Sequence, residues 1–303
     1  MTAKMEWDLR GVIVPLITPF KDDLSLDFPG VAKLVDYYIE VTKCDGIVPC
    51  GTTGESATLS HKEHAEVIEA VVKQAKGRVP VIASAGSNST KEAVELTRLA
   101  AELGADATLQ VGPYYNKPTQ NGLFNHFAAI GAASDLPLII YNIPGRTGRN
   151  IEPKTIIRCW EQIPSVVGLK DCSCDMHQTM EIYRGTSPDT FKIYSGEDVM
   201  TLSILAHGGA GAIAAVAHVV GPEVKQMCEA MWGGRVKEAM DIHYRVMDVV
   251  DALFIEPNPT PVKQAVEWLC LPAGPLRPPL ERMTPAGQQV LRAAMVAGGW
   301  LTE

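Results

Sequence analysis

Val166-Val167-Gly168-Leu169-Lys170-Asp171 is a run of small and β-branched apolar residues that ends on a lysine. A run of this length and composition reads as a buried strand. An ammonium at the end of such a strand loses hydration, which lowers its pKa and leaves part of the amine neutral. A neutral amine adds to a ketone and forms a Schiff base. Taken alone, the hexapeptide better suits a lysine snorkelling from a strand end into water. Its place in the chain changes that balance.

Outward from this strand the same unit recurs. Upstream lie a strand at 136–141, the turn-rich loop Asn142-Ile143-Pro144-Gly145-Arg146-Thr147-Gly148 and a short helix at 153–160. Downstream come a helix at 176–183, a strand at 191–195, the corner Gly196-Glu197-Asp198 and a helix through 205. A strand at 211–216 with a helix at 222–232 closes the series. The first half keeps the rhythm, with strands at 11–18, 46–49, 79–83 and 107–111. Its helices fall at 28–42, where Val31, Leu34, Val35, Tyr38 and Ile39 have helical spacing, at 90–103 and from about 123. Another helix begins after Ser60, with Glu63 completing a capping box.

About eight strand–helix units in succession predict an α/β protein with a TIM (β/α)8 barrel. A doubly wound open sheet is the alternative, but it usually stops at about five or six strands. From Gly234 the pattern is helical, at 237–254, 261–269 and 284–297. The expected organisation is a barrel catalytic domain over 1–232 and a C-terminal helical domain over 233–303.

Composition narrows the function classes. The 303 residues are 46% hydrophobic and 20% charged, ordinary for a globular protein. The net charge of −8, without a basic run, argues against nucleic acid and anionic membrane as partners. Seven scattered cysteines without a C-x-x-C pair fit a reducing cytosol. The polar start Met1-Thr2-Ala3-Lys4-Met5-Glu6 shows no signal peptide, and the apolar tract at 204–220 is interrupted by glycines and histidines. The expectation is a soluble cytoplasmic protein.

In this barrel class, chemistry sits at the C-terminal ends of the strands. Lys192 lies at the start of its strand and Lys170 at the end of its own, so Lys170 belongs to the catalytic face. The same face collects Thr52, Thr53, Tyr114, Tyr115, Tyr141, Arg146 and the Gly196 corner. Such a set suits an imine-forming lyase on a small oxo acid. Lys170 would be nucleophile, a tyrosine the proton carrier, hydroxyls and loop amides the carboxylate cradle, and Arg146 a grip on a second carboxylate. No step requires a metal or an organic cofactor. Each residue has a plainer reading: Gly51-Thr52-Thr53-Gly54 as a tight turn, Tyr141 as a core tyrosine, Arg146 as a solvated charge. Gly208-Gly209 reads as a helix-ending turn, and His61-Lys62-Glu63-His64 as a solvated helix face, since its order is wrong for a zinc H-E-x-x-H. Their joint occurrence at successive strand ends favours the lyase.

The chain resembles the dihydrodipicolinate synthases, within the pyruvate-dependent class I aldolase superfamily that includes N-acetylneuraminate lyase. The resemblance rests on Gly51-Thr52-Thr53-Gly54-Glu55-Ser56, Pro113-Tyr114-Tyr115-Asn116, Tyr141-Asn142-Ile143-Pro144-Gly145-Arg146-Thr147-Gly148, Gly168-Leu169-Lys170 and Glu256-Pro257-Asn258-Pro259. It implies a covalent imine between Lys170 and pyruvate, with no cofactor. The pyruvate carboxylate would rest on Thr52 and Thr53, and Tyr141 would move protons through Thr52 to Tyr115. The second substrate would be L-aspartate 4-semialdehyde, held by Arg146 near Gly196 and the Ile213 carbonyl, and the product 4-hydroxy-tetrahydrodipicolinate, for lysine and diaminopimelate biosynthesis. The resemblance further implies a homo-oligomer, a homodimer or a dimer of dimers, with Tyr115 crossing a dimer interface. It also implies feedback inhibition by L-lysine at Ser56, Ala57, His61, His64, Asn88, Glu92 and Tyr114.

Two departures bear on the second substrate. After the lysine the synthases usually read Glu-Ala-Thr/Ser-Gly, where this chain has Asp171-Cys172-Ser173-Cys174, and Glu197 stands where Asp is common. The rivals are therefore an aldolase of the same superfamily taking a sugar-acid or hydroxy-oxo-acid aldehyde, and a non-catalytic metabolite-binding barrel.

Overall fold

A computed structural model describes residues 5–302; residues 1–4 of the polar start lie outside the described residues. The strands are β1 (Gly11–Pro15), β2 (Gly46–Val48), β3 (Ile82–Ser84), β4 (Ala107–Val111), β5 (Leu138–Asn142), β6 (Val166–Asp171), β7 (Lys192–Ser195) and β8 (Gly211–Ile213). The helices that alternate with them are α1 (Phe28–Glu40), α2 (His61–Ala75), α3 (Thr90–Glu102), α4 (Gln120–Gly131), α5 (Pro144–Thr147), α6 (Pro153–Gln162), α7 (Met176–Gly185), α8 (Thr201–Ala206) and α9 (Ala217–Trp232). Three more follow: α10 (Val236–Ala252), α11 (Thr260–Trp268) and α12 (Pro285–Ala297).

The strands form one sheet in the order β2-β1-β8-β7-β6-β5-β4-β3, and a parallel bridge from Ile47 to Val81 joins the two ends of that order. Eight strands, each followed by a helix and with chain neighbours paired, make the (β/α)8 barrel topology. The all-buried pattern of β1, β5 and β6 is what strands covered on both faces require.

The chain divides into two compact units. One holds the N-terminal segment through Arg10 and 82–213; the other holds 11–81 and 214–303. In the first, the core gathers Leu123, Phe127 and Ile130 of α4, Ile156 and Cys159 of α6, and Leu169 and Ile193 of the strands. Fully burying a side chain such as Phe127 contributes about 1.5–3 kcal/mol. Lys192, first residue of β7, is tied at the strand's N-terminal end by Asp8 at 2.7 Å. Tyr194 donates to the Leu9 carbonyl at 2.7 Å.

In the second unit, α1 and α2 lie against each other and bury Val31, Leu34, Val35, Val67, Ile68 and Val71. The Ser60–Glu63 capping box is present at the start of α2. His218 of α9 accepts from the Ile17 amide through Nε2 at 3.2 Å and bonds the Ala215 carbonyl through Nδ1 at 2.8 Å. That pairing fixes one neutral tautomer.

Three local expectations are corrected. The 142–148 segment is not irregular throughout: Pro144 has the fixed φ that starts a helix, and α5 makes one turn there. The helix expected at 222–232 begins at Ala217, kinks at Val220 and continues past Pro222. The 61–64 face is solvated only in part, because His64, one turn on from exposed His61, is buried.

Candidate active site

Lys170 occupies the second-to-last position of β6, level with Tyr141 of β5 and Tyr194 of β7. It is 7% exposed, as is Tyr141. Neighbouring strands in register send side chains to the same side, and here the Lys170 Nζ stands 4.3 Å from the centroid of the Tyr141 ring. Burial lowers the Lys170 pKa from the ordinary lysine value; Cys172, Asp198 and Glu197 oppose that effect and Arg146 adds to it. The amine is thus desolvated, as imine chemistry requires, and stands beside the Tyr141 phenol.

The next strand end makes room for it. Gly196 donates its amide to the Asp171 carbonyl at 2.8 Å, which brings its Cα against the lysine side chain. A Cβ there would lie 2.5 Å from Cys172 Sγ and 2.6 Å from Lys170 Cε and Cγ, so any side chain at this position would force one of those two to shift. Beside it, burial raises the Glu197 carboxyl above its usual range, while Lys170 and Arg146 pull it back down. Burial also pushes the Cys172 thiol up to about 12, against the pull of Lys170 and a hydrogen bond with Tyr141.

Arg146 is exposed on α5. Its turn is shaped from below by Asn142, whose side chain bonds Asn150 at 2.9 Å and takes the Ile151 amide at 3.0 Å. Thr147 closes the turn from within, bonding the Ile143 and Arg149 carbonyls at 3.1 and 2.9 Å. Tyr115 donates its amide to the Thr147 carbonyl at 3.3 Å, has a left-handed φ of 71° and is 89% exposed. Ile213 ends β8 and is buried.

Within the other unit, Thr53 is buried and Thr52 partly so, in the turn that follows β2. The Thr53 hydroxyl accepts from Asn258 at 3.0 Å. Ser56 and Ala57 lie in a 3-10 turn, with His61 and His64 on the first turn of α2. Of the remaining residues expected to bind lysine, Glu92 takes the Ser87 hydroxyl, and Asn88 accepts the Asn116 side chain through its carbonyl at 2.9 Å. Tyr114 is 40% exposed.

Lys170, Tyr141, Gly196 and Glu197 therefore meet at adjacent strand ends. Sequence reading missed the Asn142 lock, for which an asparagine at the end of an apolar run was the available signal, and the Cys172 thiol beside the amine, visible only as a departure from family pattern.

A desolvated strand-end lysine on a (β/α)8 barrel is an arrangement that suits imine chemistry. The chain belongs to the dihydrodipicolinate synthetase family, whose model matches residues 8–297. It is 46% identical over 300 residues to the 4-hydroxy-tetrahydrodipicolinate synthase of Methanopyrus kandleri, covering 99% of each chain. Among solved structures it is similar to the synthase from Cyanidioschyzon merolae with lysine bound (TM-score 0.94, 45% identity, 98% of this chain and 100% of that one). It is similar also to the chloride-inhibited synthase from Acinetobacter baumannii complexed with pyruvate (TM-score 0.93, 37% identity, 97% and 100%).

Proposed function

We propose that this chain condenses pyruvate with L-aspartate 4-semialdehyde to give 4-hydroxy-tetrahydrodipicolinate, through an imine on Lys170. The observation that carries the reading is the buried Lys170 amine against Tyr141 in a chain of this family. The amine adds to the pyruvate ketone and water leaves. Loss of a methyl proton gives the enamine, whose carbon attacks the aldehyde. The substrate's own amine then displaces Lys170 and closes the ring, so the overall reaction releases one water.

Thr52 and Thr53 hold the pyruvate carboxylate, Tyr141 moves protons by way of Thr52 and Tyr115, and Arg146 holds the second carboxylate near Gly196 and the Ile213 carbonyl. The exposure of Tyr115 supports its role at a second subunit. The assembly is a dimer of dimers. L-Lysine inhibits through Ser56, Ala57, His61, His64, Asn88, Glu92 and Tyr114, a reading supported by the lysine-bound relative. The pyruvate complex of another relative supports the oxo acid. The reaction needs no added cofactor. Residues 1–232 carry the barrel and 233–303 the helical appendage. The reaction takes place in the cytoplasm; no described helix is long and apolar enough to cross a membrane.

The test is condensation of the two substrates coupled to reductase-dependent loss of NADPH, with and without lysine. Turnover that Lys170→Ala abolishes is the expected result. Absence of turnover, with a pyruvate imine still trapped by borohydride, would transfer the reading to another aldehyde.

A further inference from the structure

In the unit of 11–81 and 214–303, two opposite charges face each other in the interior. The Nζ of Lys263 on α11 lies 2.6 Å from Glu55 Oε1, and the two side chains are 3% and 1% exposed. The second carboxylate oxygen takes the Arg277 amide at 2.9 Å. Lys263 also donates to the Pro275 carbonyl at 2.7 Å and stands 4.4 Å from the Phe20 ring centroid. A buried pair of this kind is seldom a source of net stability, since apolar side chains of the same volume do as well or better. What such a pair supplies is a fixed geometry.

The geometry in question is that of the threonine turn. Glu55 ends it in a left-handed conformation, φ 55°, and donates its amide to the Thr52 carbonyl at 3.1 Å. Its own carbonyl takes the Thr58 amide at 3.0 Å and the Thr58 hydroxyl at 3.1 Å. Gly54, just before it, is held by the Thr18 hydroxyl on its carbonyl at 2.7 Å, and a Cβ there would lie 2.9 Å from the Leu16 carbonyl oxygen. On the other side, Asn258 holds the Thr53 hydroxyl. The Thr52-Thr53 pair therefore runs directly into a glycine locked beside the end of β1 and a glutamate locked to α11.

We propose that the buried Glu55–Lys263 pair is a positioning device that sets the Thr52-Thr53 turn to receive the carboxylate of the oxo acid. This rests on the reading of that turn given under the proposed function. Glu55 and Lys263 act through the loop backbone and not on the substrate. Their influence falls on the binding of pyruvate before it falls on the chemistry at Lys170, because the cradle and the amine are separate groups.

The experiment measures borohydride trapping of the pyruvate imine against pyruvate concentration, with thermal melting in parallel, for wild type, E55Q, K263M and the apolar double variant E55L/K263M. The expected result for the single variants is a pyruvate half-saturation raised at least tenfold, with the maximal trapping rate within about threefold of wild type. The double variant removes the unpaired buried charge, so its melting temperature returns toward wild type while its half-saturation stays raised. That split separates positioning from a merely structural role and does not depend on the single variants being robust. Half-saturation within twofold of wild type in the double variant, or recovering together with its melting temperature, overturns the proposal. If wild type itself traps no pyruvate, the proposed function falls and this inference with it. If wild type traps pyruvate and the variants bind it normally, only the positioning role falls.

Discussion

Gly196→Ala puts a methyl group where the lysine side chain passes. The new Cβ would lie 2.6 Å from Lys170 Cε and Cγ and 2.5 Å from Cys172 Sγ, whereas carbon contacts are comfortable at about 3.5–4.0 Å. One partner must therefore retreat by about 1 Å. The amide of Gly196 is held on the Asp171 carbonyl, so the lysine side chain, with its rotatable bonds, is the group that moves. Overpacking of this kind costs about 1–3 kcal/mol of stability. A reacting atom misplaced by about 1 Å loses on the order of 10²-fold in rate. The assay is the rate of imine trapping with borohydride at saturating pyruvate, followed by intact-protein mass, with a denaturant melt alongside. The expected outcome is a folded protein, weakened within that range, that traps about 100-fold more slowly. Cys172→Ala on the same background removes one of the two clashes and should recover part of both losses. A Gly196→Ala protein that traps at the wild-type rate would refute the close packing on which this account depends.

Burial lowers the His218 pKa to about 4 from 6.5, so the unfolded chain binds the extra proton first and stability falls as pH drops from about 6.5 toward 4. The loss is at most about 3 kcal/mol, and acid melts of His218→Gln should lack that part of the slope. Glu63 is held down to about 2, chiefly by its hydrogen bond from Arg277. Its contribution is present above the unfolded value of 4.5 and is lost as pH falls through the folded one, so Arg277→Met should flatten the slope below pH 4.5 and leave the histidine window unchanged. Imine formation needs the neutral amine, so its rate should rise with pH toward a plateau whose midpoint lies below the ordinary lysine value of 10.5. A midpoint at or above that value would contradict the burial of Lys170.

Much of this architecture was legible in the chain because it is local. A strand of apolar residues announces itself within six positions, and the Ser60–Glu63 cap within four. The Lys170–Tyr141 meeting was legible too, because a parallel barrel places strand ends beside one another once the units are counted. The Glu55–Lys263 pair was not, since 208 positions separate the partners and nothing near either residue announces the other. His64 misled for a related reason. Charged neighbours on α2 suggested a solvated face, but the residue one turn beyond His61 faces the interior. The α5 turn was hidden by its composition, because proline and glycine mark breaks in structure as often as they start a single helical turn.

A buried amine used for chemistry should also leave a mark on stability. In the unfolded chain Lys170 is an ordinary solvated ammonium; in the fold its charge is desolvated and only partly compensated by Cys172, Asp198 and Glu197. Keeping it charged in that position costs stability at neutral pH, and replacing it by an apolar side chain of similar length removes the cost. Lys170→Met should therefore abolish imine formation and yet stabilise the fold by on the order of 1 kcal/mol, raising the melting temperature with it. The sign of the pH dependence follows from the lowered pKa. Between the folded and the unfolded value the unfolded state holds more protons, so wild-type stability rises with pH across that interval. The advantage of Lys170→Met is greatest at and below the folded value and shrinks as pH climbs toward 10.5. Melts of the two proteins from pH 7 to pH 10 measure it. A methionine variant less stable than wild type throughout would show that Lys170 is held by favourable contacts as a structural lysine, and a dead enzyme with a firmer fold is what a strained catalytic amine predicts.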